Sequence, residues 1–587
     1  MNSSKRENLL NLALDATEEE RLQSLNLNVG YQEETDTWEV IVKYTGSLRK
    51  LEEIFPDIEV TELSNEYAVI RLPEALMDAV TDRTEIEYME KPKRLFFSVQ
   101  QGIRASCLTS LYTRKMGLGG TELSGKGVIT AFLDSGIDYR HPDFRKEDGS
   151  SRILAIWDQS IAGNPPAGFR LGTEYDRNII NDALQQEDIQ EGYRICPSRD
   201  LSGHGTHVAG IAAGNGRSSN GRNRGVAYES DLLVVKLGTP GKNSFPRTTE
   251  LMLGMDYILR KALELKQPVA VNISFGNTYG SHDGTSLLET YLSDMANYWK
   301  SVLVIGTGNE GSARGHTSGQ IVMGREQEVE FAVGEYEPAL SLQIWKSYAD
   351  IFSIRMTHPN GKTVGIIRQL QGPQRFTIEG TQVLLYFGEP SPFSPFQEIY
   401  FDFLPVENYI DSGIYKITLI PEKIVTGAYN MWLPSLAVIG EATGFLYPTE
   451  ETTLTIPSTA YKVISVGAYD ARYNQVAAFS GRGFTRETNQ VKPDICAPGV
   501  DIESCAPGGG YTVRSGTSMA TPFVTGTAAL FMQWGIVEKH DAFLYGEKIK
   551  AYLIRGARPL PGYSLFPNPR LGWGVLCAAD SLPSDAG

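Results

Sequence analysis

Four short segments carry residue types that can cooperate in nucleophilic chemistry. Asp134 closes the run Ala131-Phe132-Leu133-Asp134-Ser135-Gly136-Ile137-Asp138. It stands at the C-terminal end of an expected buried strand, the edge where sites assemble in open α/β sheets. Asp134 is preferred to Asp138 because Ser135-Gly136 turns the chain away directly after it. His204 lies in Ser202-Gly203-His204-Gly205-Thr206-His207-Val208-Ala209-Gly210, where small neighbours let backbone approach and leave the imidazole reachable. Ser518, in Ser515-Gly516-Thr517-Ser518-Met519-Ala520-Thr521-Pro522, opens an apolar helix. The N-terminus of such a helix offers free N–H groups and a positive dipole end, which suit an oxyanion beside a nucleophilic hydroxyl. Asn309, within Ile305-Gly306-Thr307-Gly308-Asn309-Glu310-Gly311, presents an amide as a second donor. A carboxylate, an imidazole, a hydroxyl and an amide donor are the parts of acyl transfer through a covalent intermediate.

Each part alone has an ordinary structural reading. An Asp caps turns, a Ser caps helices, and an Asn amid glycines is a preferred turn residue. His207, three residues after His204, raises a metal pair, but no His-Glu-x-x-His spacing or third ligand accompanies it. No metal is therefore expected, and His207 reads as a packed, hydrogen-bonded helix residue. Pro522 is expected in the first helical turn, where a missing N–H costs no hydrogen bond.

The elements that must position these groups follow from hydrophobic patterning. Residues 127–133, 232–236, 269–274 and 301–305 are short apolar runs suited to buried parallel strands, with helical periodicity over 249–265 and 286–299. The expected fold class is α/β, a mostly parallel sheet with helices on both faces. Residues 1–100 read as strand-helix-strand-strand-helix-strand, the split βαβ order of a ferredoxin-like α+β domain. Within it, residues 47–55 and 73–82 are expected helices, and a further helix over 5–25 precedes it. Residues 317–452 alternate in strand fashion with Pro-rich turns and read as an inserted all-β, jelly-roll-like domain. This leaves 101–316 and 453–587 as the two parts of the α/β domain.

The chain has 587 residues, 54 Lys+Arg against 70 Asp+Glu, and a formal net charge of −16. Such a length favours two or three domains. An acidic balance argues against nucleic acid as a partner, because a basic stripe would be its footprint. No run of about 18 apolar residues suggests a membrane span, and no apolar segment near residue 1 suits a signal-peptide core. The five cysteines are scattered without a Cys-x-x-Cys pair and read as reduced structural thiols. Cytoplasmic synthesis in a reducing compartment is the matching expectation.

The order Asp, His, Ser is that of subtilisin among triad proteases. Leu133-Asp134-Ser135-Gly136-Ile137-Asp138, His204-Gly205-Thr206-His207-Val208-Ala209-Gly210 and Gly516-Thr517-Ser518-Met519-Ala520-Thr521-Pro522 resemble the motifs of the subtilase family. The resemblance implies a serine endopeptidase acting on polypeptides, with Ser518 as nucleophile and His204 as base. Asp134 would orient the imidazole, and Asn309 with the Ser518 N–H would form the oxyanion hole. It further implies that Ser274, Phe275 and Gly276 pair with an extended substrate, and that Gly306, Thr307 and Gly308 line the pocket before the scissile bond. Residues 241–244 would pair with the peptide's other side.

The N-terminal domain resembles the family's propeptide, an intramolecular chaperone and inhibitor that Ser518 would cut near residues 97–101. Prodomain and insertion together look like the clostridial Csp germination proteases. That likeness implies limited proteolysis of the zymogen of a spore cortex hydrolase, a cleaved prodomain that stays bound, and a spore-associated location. Two alternatives accompany it: an intracellular subtilase for protein turnover, and a catalytically silent pseudoprotease in germinant signalling. The presence of all three triad residues favours the active enzyme. Asp143 matches a position that ligates Ca²⁺ in the family, but residues 216–224 carry Arg217, Arg222 and Arg224 and no carboxylate. No cofactor is expected.

Overall fold

The apolar runs Ile129–Asp134, Asp231–Lys236, Val269–Ile273 and Ser301–Gly306 form the centre of a nine-stranded sheet in the computed structural model. Residues 4–24, 26–32, 35–48, 51–93, 106–107, 122–240, 245–370 and 372–583 are described. From one edge the strand order is Gln475–Val476, Ile464–Asp470, Ser301–Gly306, Val269–Ile273, Ile129–Asp134, Asp231–Lys236, Ile153–Asp158 and Thr173–Asp176, with Ile495–Pro498 also pairing Ile464–Asp470. The central pairs are parallel, and Gln475–Val476 and Thr173–Asp176 add antiparallel edges. All six residues of Ile129–Asp134 are buried, as a strand covered on both faces requires.

Alternation along the strands assigns the two faces. Phe132 and Val234 join the core built with the helices His204–Ala213 and Thr517–Met532. On the opposite face a Cβ at Gly254 of the helix Thr248–Leu265 would press on Leu133 and Val235. This α/β unit comprises residues 95–276, 288–309 and 457–587. Cys107 and Cys577, within it, form a disulfide with Cα atoms 4.9 Å apart, against the expectation of five reduced thiols. Cys196, Cys496 and Cys505 are buried free thiols.

A second unit comprises residues 1–94, 277–287 and 310–456. Its N-terminal sheet is antiparallel, in the order Glu59–Leu63, Tyr67–Pro73, Thr37–Tyr44, Ile86–Glu90, with Tyr31–Gln32 also on Thr37–Tyr44. Residues 5–25 hold two helices, Asn8–Asp15 and Glu18–Gln23, in place of one. Thr17 and Glu20 form a capping box that starts the second helix afresh. The helix expected over 47–55 shrinks to Leu51–Ile54, and that over 73–82 to Met77–Thr81 after a 3₁₀ turn. Residues 316–445 fold as two antiparallel sheets of six and five strands around a shared apolar core. Among the described residues no helix is long and apolar enough to cross a membrane.

Candidate active site

Asp134 is fully buried at the end of its strand, and its Oδ1 lies 2.6 Å from His204 Nδ1. The same oxygen accepts the Ser135 N–H at 2.7 Å, which fixes the carboxylate's rotation. His204 is the first residue of the helix His204–Ala213. Gly203 before it takes φ +72°, a left-handed turn that favours glycine. Gly205 after it must also be glycine, because a Cβ there would lie 2.1 Å from the Gly136 carbonyl oxygen. Small residues around His204 therefore let the helix start close on the Asp134 turn.

Asp200 joins this constellation from outside the four sequence motifs. Its buried carboxylate accepts the Gly203 N–H at 2.9 Å and the Thr206 N–H at 2.8 Å, satisfying the free amides of the His204 helix. A lone Asp in a polar stretch gives little signal, and its position four residues before His204 was the only cue.

Ser518 is the second residue of Thr517–Met532, a helix buried at every position. Its Oγ donates to the Ser274 carbonyl at 3.3 Å, and the Ser274 hydroxyl donates to the Ser518 carbonyl at 3.3 Å. Pro522 sits in the second turn of this helix, so the first-turn expectation is corrected: its missing N–H would otherwise have served the Ser518 carbonyl. Ser274 supplies the replacement donor. The Ser274 hydroxyl in turn accepts from the buried Asn272 amide at 2.8 Å, and Asn272 accepts from Thr525 of the same helix. Asn309 Oδ1 accepts the Thr517 N–H at 3.1 Å, so the carbonyl side of its amide is committed and the NH₂ group stays available as a donor.

The other expected residues gather on the same elements. Phe275 is buried with its ring centroid 6.3 Å from that of His204, which joins the 274–276 edge to the imidazole. Gly276 follows it. The Gly308 N–H donates to Thr517 Oγ1 at 3.1 Å, and a side chain at Gly306 would crowd Thr517 and Thr521. Thr307 is buried, its N–H donating to Val466 O. Residues 241–244 and the junction at 97–101 lie outside the described residues.

His207 stands apart from this constellation. Its Nε2 donates to the carbonyls of Ile502 and Thr512 at 3.2 and 3.1 Å, and burial pulls its pKa down to about 3. A neutral imidazole that pins the Ile502–Arg514 hairpin is a structural residue. Among the described residues the groups spaced to share a metal are His141, Asp143 and Cys505. All three are hydrogen-bonded within the protein. His141 Nδ1 accepts the Asp143 N–H and its Nε2 donates to Gly510 O. Asp143 accepts from the Ser218 N–H and Tyr511 OH at 2.7 Å each and from the Cys505 thiol at 3.5 Å. Ser218 of the loop after the His204 helix, with Tyr511 and Cys505 of the 502–514 hairpin, thus turns hydrogens toward Asp143, where a calcium ion would need oxygen lone pairs. These residues do not fit Ca²⁺.

The sequence profile of the subtilase family matches residues 125–345 and 446–574, which decides the assignment. The chain belongs to the subtilase family. The profile described as the Csp protease B prodomain matches residues 4–93. A solved structure of the Clostridium perfringens CspB protease is similar at 38% identity and a TM-score of 0.74, over 81% of this chain and 96% of that one. The minor extracellular protease Vpr of Bacillus subtilis is 25% identical over 79% of this chain, and a C5a peptidase of Streptococcus pyogenes 23% identical over 70%. The chain spans 52% of the length of Vpr and 35% of that C5a peptidase. Asp134, His204, Asn309 and Ser518 all fall in the chain's α/β unit.

Proposed function

We propose that Asp134, His204 and Ser518 are the working triad of a serine endopeptidase. The observation that carries the reading is the 2.6 Å Asp134–His204 contact, made in the α/β unit that also holds Ser518 at a buried helix N-terminus. In this scheme the Ser518 Oγ attacks the scissile carbonyl while His204 takes its proton. The tetrahedral oxyanion is held by the Asn309 amide and the Ser518 N–H. His204 then protonates the leaving amine, Asp134 keeping the imidazole in the right tautomer throughout. An extended peptide pairs with the 274–276 edge, and residues 306–308 border the side chain before the scissile bond.

The finer role we propose is Csp-like. Residues 4–93 act as a prodomain that Ser518 severs near 97–101, and the mature enzyme cuts the zymogen of a spore cortex hydrolase at a defined bond. The prodomain profile match and the likeness to the CspB protease support this. The strand orders are compatible with a ferredoxin-like prodomain and a jelly-roll-type insertion. Synthesis in the cytoplasm and association with spores complete the proposal. Incubating a purified cortex-hydrolase zymogen with wild type and Ser518→Ala tests it. One new N-terminus, formed by wild type alone, supports the role. Many cuts, with equal degradation of unrelated unfolded proteins, would favour a turnover protease.

A further inference from the structure

We infer that Asp200 is a positioning residue for the His204–Asp134 pair, a role that rests on the triad reading above. The buried carboxylate ties together the two segments that carry those side chains. Toward His204, its oxygens accept the N–H groups of Gly203 and Thr206 and, at 2.7 Å, the Thr206 hydroxyl. Gly203 has no side chain to cap the helix that His204 opens, so Asp200 does that work from three residues upstream. Toward Asp134, Asp200 Oδ1 accepts the Ser135 hydroxyl at 2.7 Å. Ser135 donates its N–H to Asp134 Oδ1 and accepts the Gly205 N–H at 3.0 Å on its hydroxyl oxygen. Ser202 closes the ring, its hydroxyl 2.8 Å from Ser135 Oγ and accepting the His204 N–H at 3.1 Å.

The consequence is geometric. His204 and Asp134 come from a helix and a strand end, and the contact between them is as good as the register of those two backbones. Asp200 sets that register through acceptors on both sides, with two charged oxygens whose hydrogen bonds are stronger than neutral ones. Removing the carboxylate leaves the Gly203 and Thr206 amides and the Ser135 hydroxyl to re-aim, and the first helical residue moves with them.

The test is the rate at which a fluorophosphonate probe labels Ser518, followed across pH in the full-length chain. Asp200→Ala and Ser135→Ala are each expected to slow labelling by about tenfold to a hundredfold, the scale of a small misplacement of reacting groups. Both are also expected to shift the midpoint of its pH profile, and Asp200→Asn, which keeps one acceptor oxygen, to fall between. Ser135→Ala leaves the Asp200 contacts to the helix intact and guards against a folding defect. Asp176→Ala is the control, since it removes a helix cap (to Ile179) elsewhere and should leave rate and profile unchanged. Labelling that follows only the folded fraction in both Asp200→Ala and Ser135→Ala, with an unmoved pH profile, would overturn the role. Failure of wild type itself to label at Ser518 would instead remove the triad reading and this role together.

Discussion

Ser274 and Ser518 exchange hydrogen bonds, each hydroxyl donating to the other's carbonyl oxygen at 3.3 Å. The exchange exists because Pro522, four residues beyond Ser518, has no amide hydrogen to close the helical turn. The helix keeps its start on Gly516 and Thr517, and a side chain from the neighbouring strand end completes the missing bond. The same contact holds the proposed nucleophile against the proposed substrate edge.

Ser274→Ala should therefore destabilise the chain by about 1–3 kcal/mol, the cost of a buried carbonyl left without a donor. Adding Pro522→Ala should recover part of that loss, because the new amide can serve the Ser518 carbonyl. A double-mutant cycle by urea denaturation measures this coupling. Equal effects of Pro522→Ala with and without Ser274 would show that the two residues do not share the carbonyl.

In the proposed mechanism Asn309 contributes through orientation. With its Oδ1 held by Thr517, its NH₂ group is pre-set to meet negative charge that develops during attack. Asn309→Ala is expected to lower kcat by about 10²–10³ and leave KM nearly unchanged, as for loss of one oxyanion donor. Steady-state kinetics on a peptide substrate checks it. A change confined to KM would assign Asn309 to ground-state binding.

A pH dependence follows from the unit that contains the N-terminal sheet and the insertion. Glu398 is buried there beside Tyr279, whose hydroxyl donates to it at 3.1 Å, and near Glu7, which pairs with Lys93 at 2.8 Å. Lys93 also pairs with Glu90, and Asn8 bonds Glu398. Burial first, then the charge of Glu7, pushes the Glu398 pKa from the ordinary 4.5 up to about 8. A carboxyl whose folded pKa is raised binds its proton more tightly folded than unfolded. Its stabilising contribution is complete below about pH 4.5 and is lost as pH rises through about 8. The stability of wild type, followed by thermal denaturation, should thus fall over that window, by about 1.4 kcal/mol per pH unit for a full proton. Glu398→Gln should flatten the slope. An unchanged slope would place the titrating group elsewhere.

Much of the fold was legible because buried parallel strands announce themselves as uninterrupted apolar runs, and Asp134 could be chosen from its place at such a strand's end. Asp134, His204, Asn309 and Ser518 each sit among small residues whose need is local and therefore visible. Asp200 was not legible, since its value depends on backbone amides and on Ser135, which is distant in sequence. Pro522 was misplaced because a helix start is set by Gly516, not by the proline. The split of residues 5–25 was readable in Thr17-Glu18-Glu19-Glu20, a capping-box pattern that helical periodicity overshadowed. Pairing of Cys107 with Cys577, separated by 470 positions, follows from tertiary approach alone.

The most direct test of a working Ser518 is the intact mass of purified wild type beside Ser518→Ala. Wild type should split into an N-terminal fragment ending near residues 97–101 and the remainder, while Ser518→Ala stays whole at 64.7 kDa. Two intact proteins, neither labelled by a fluorophosphonate, would contradict the account.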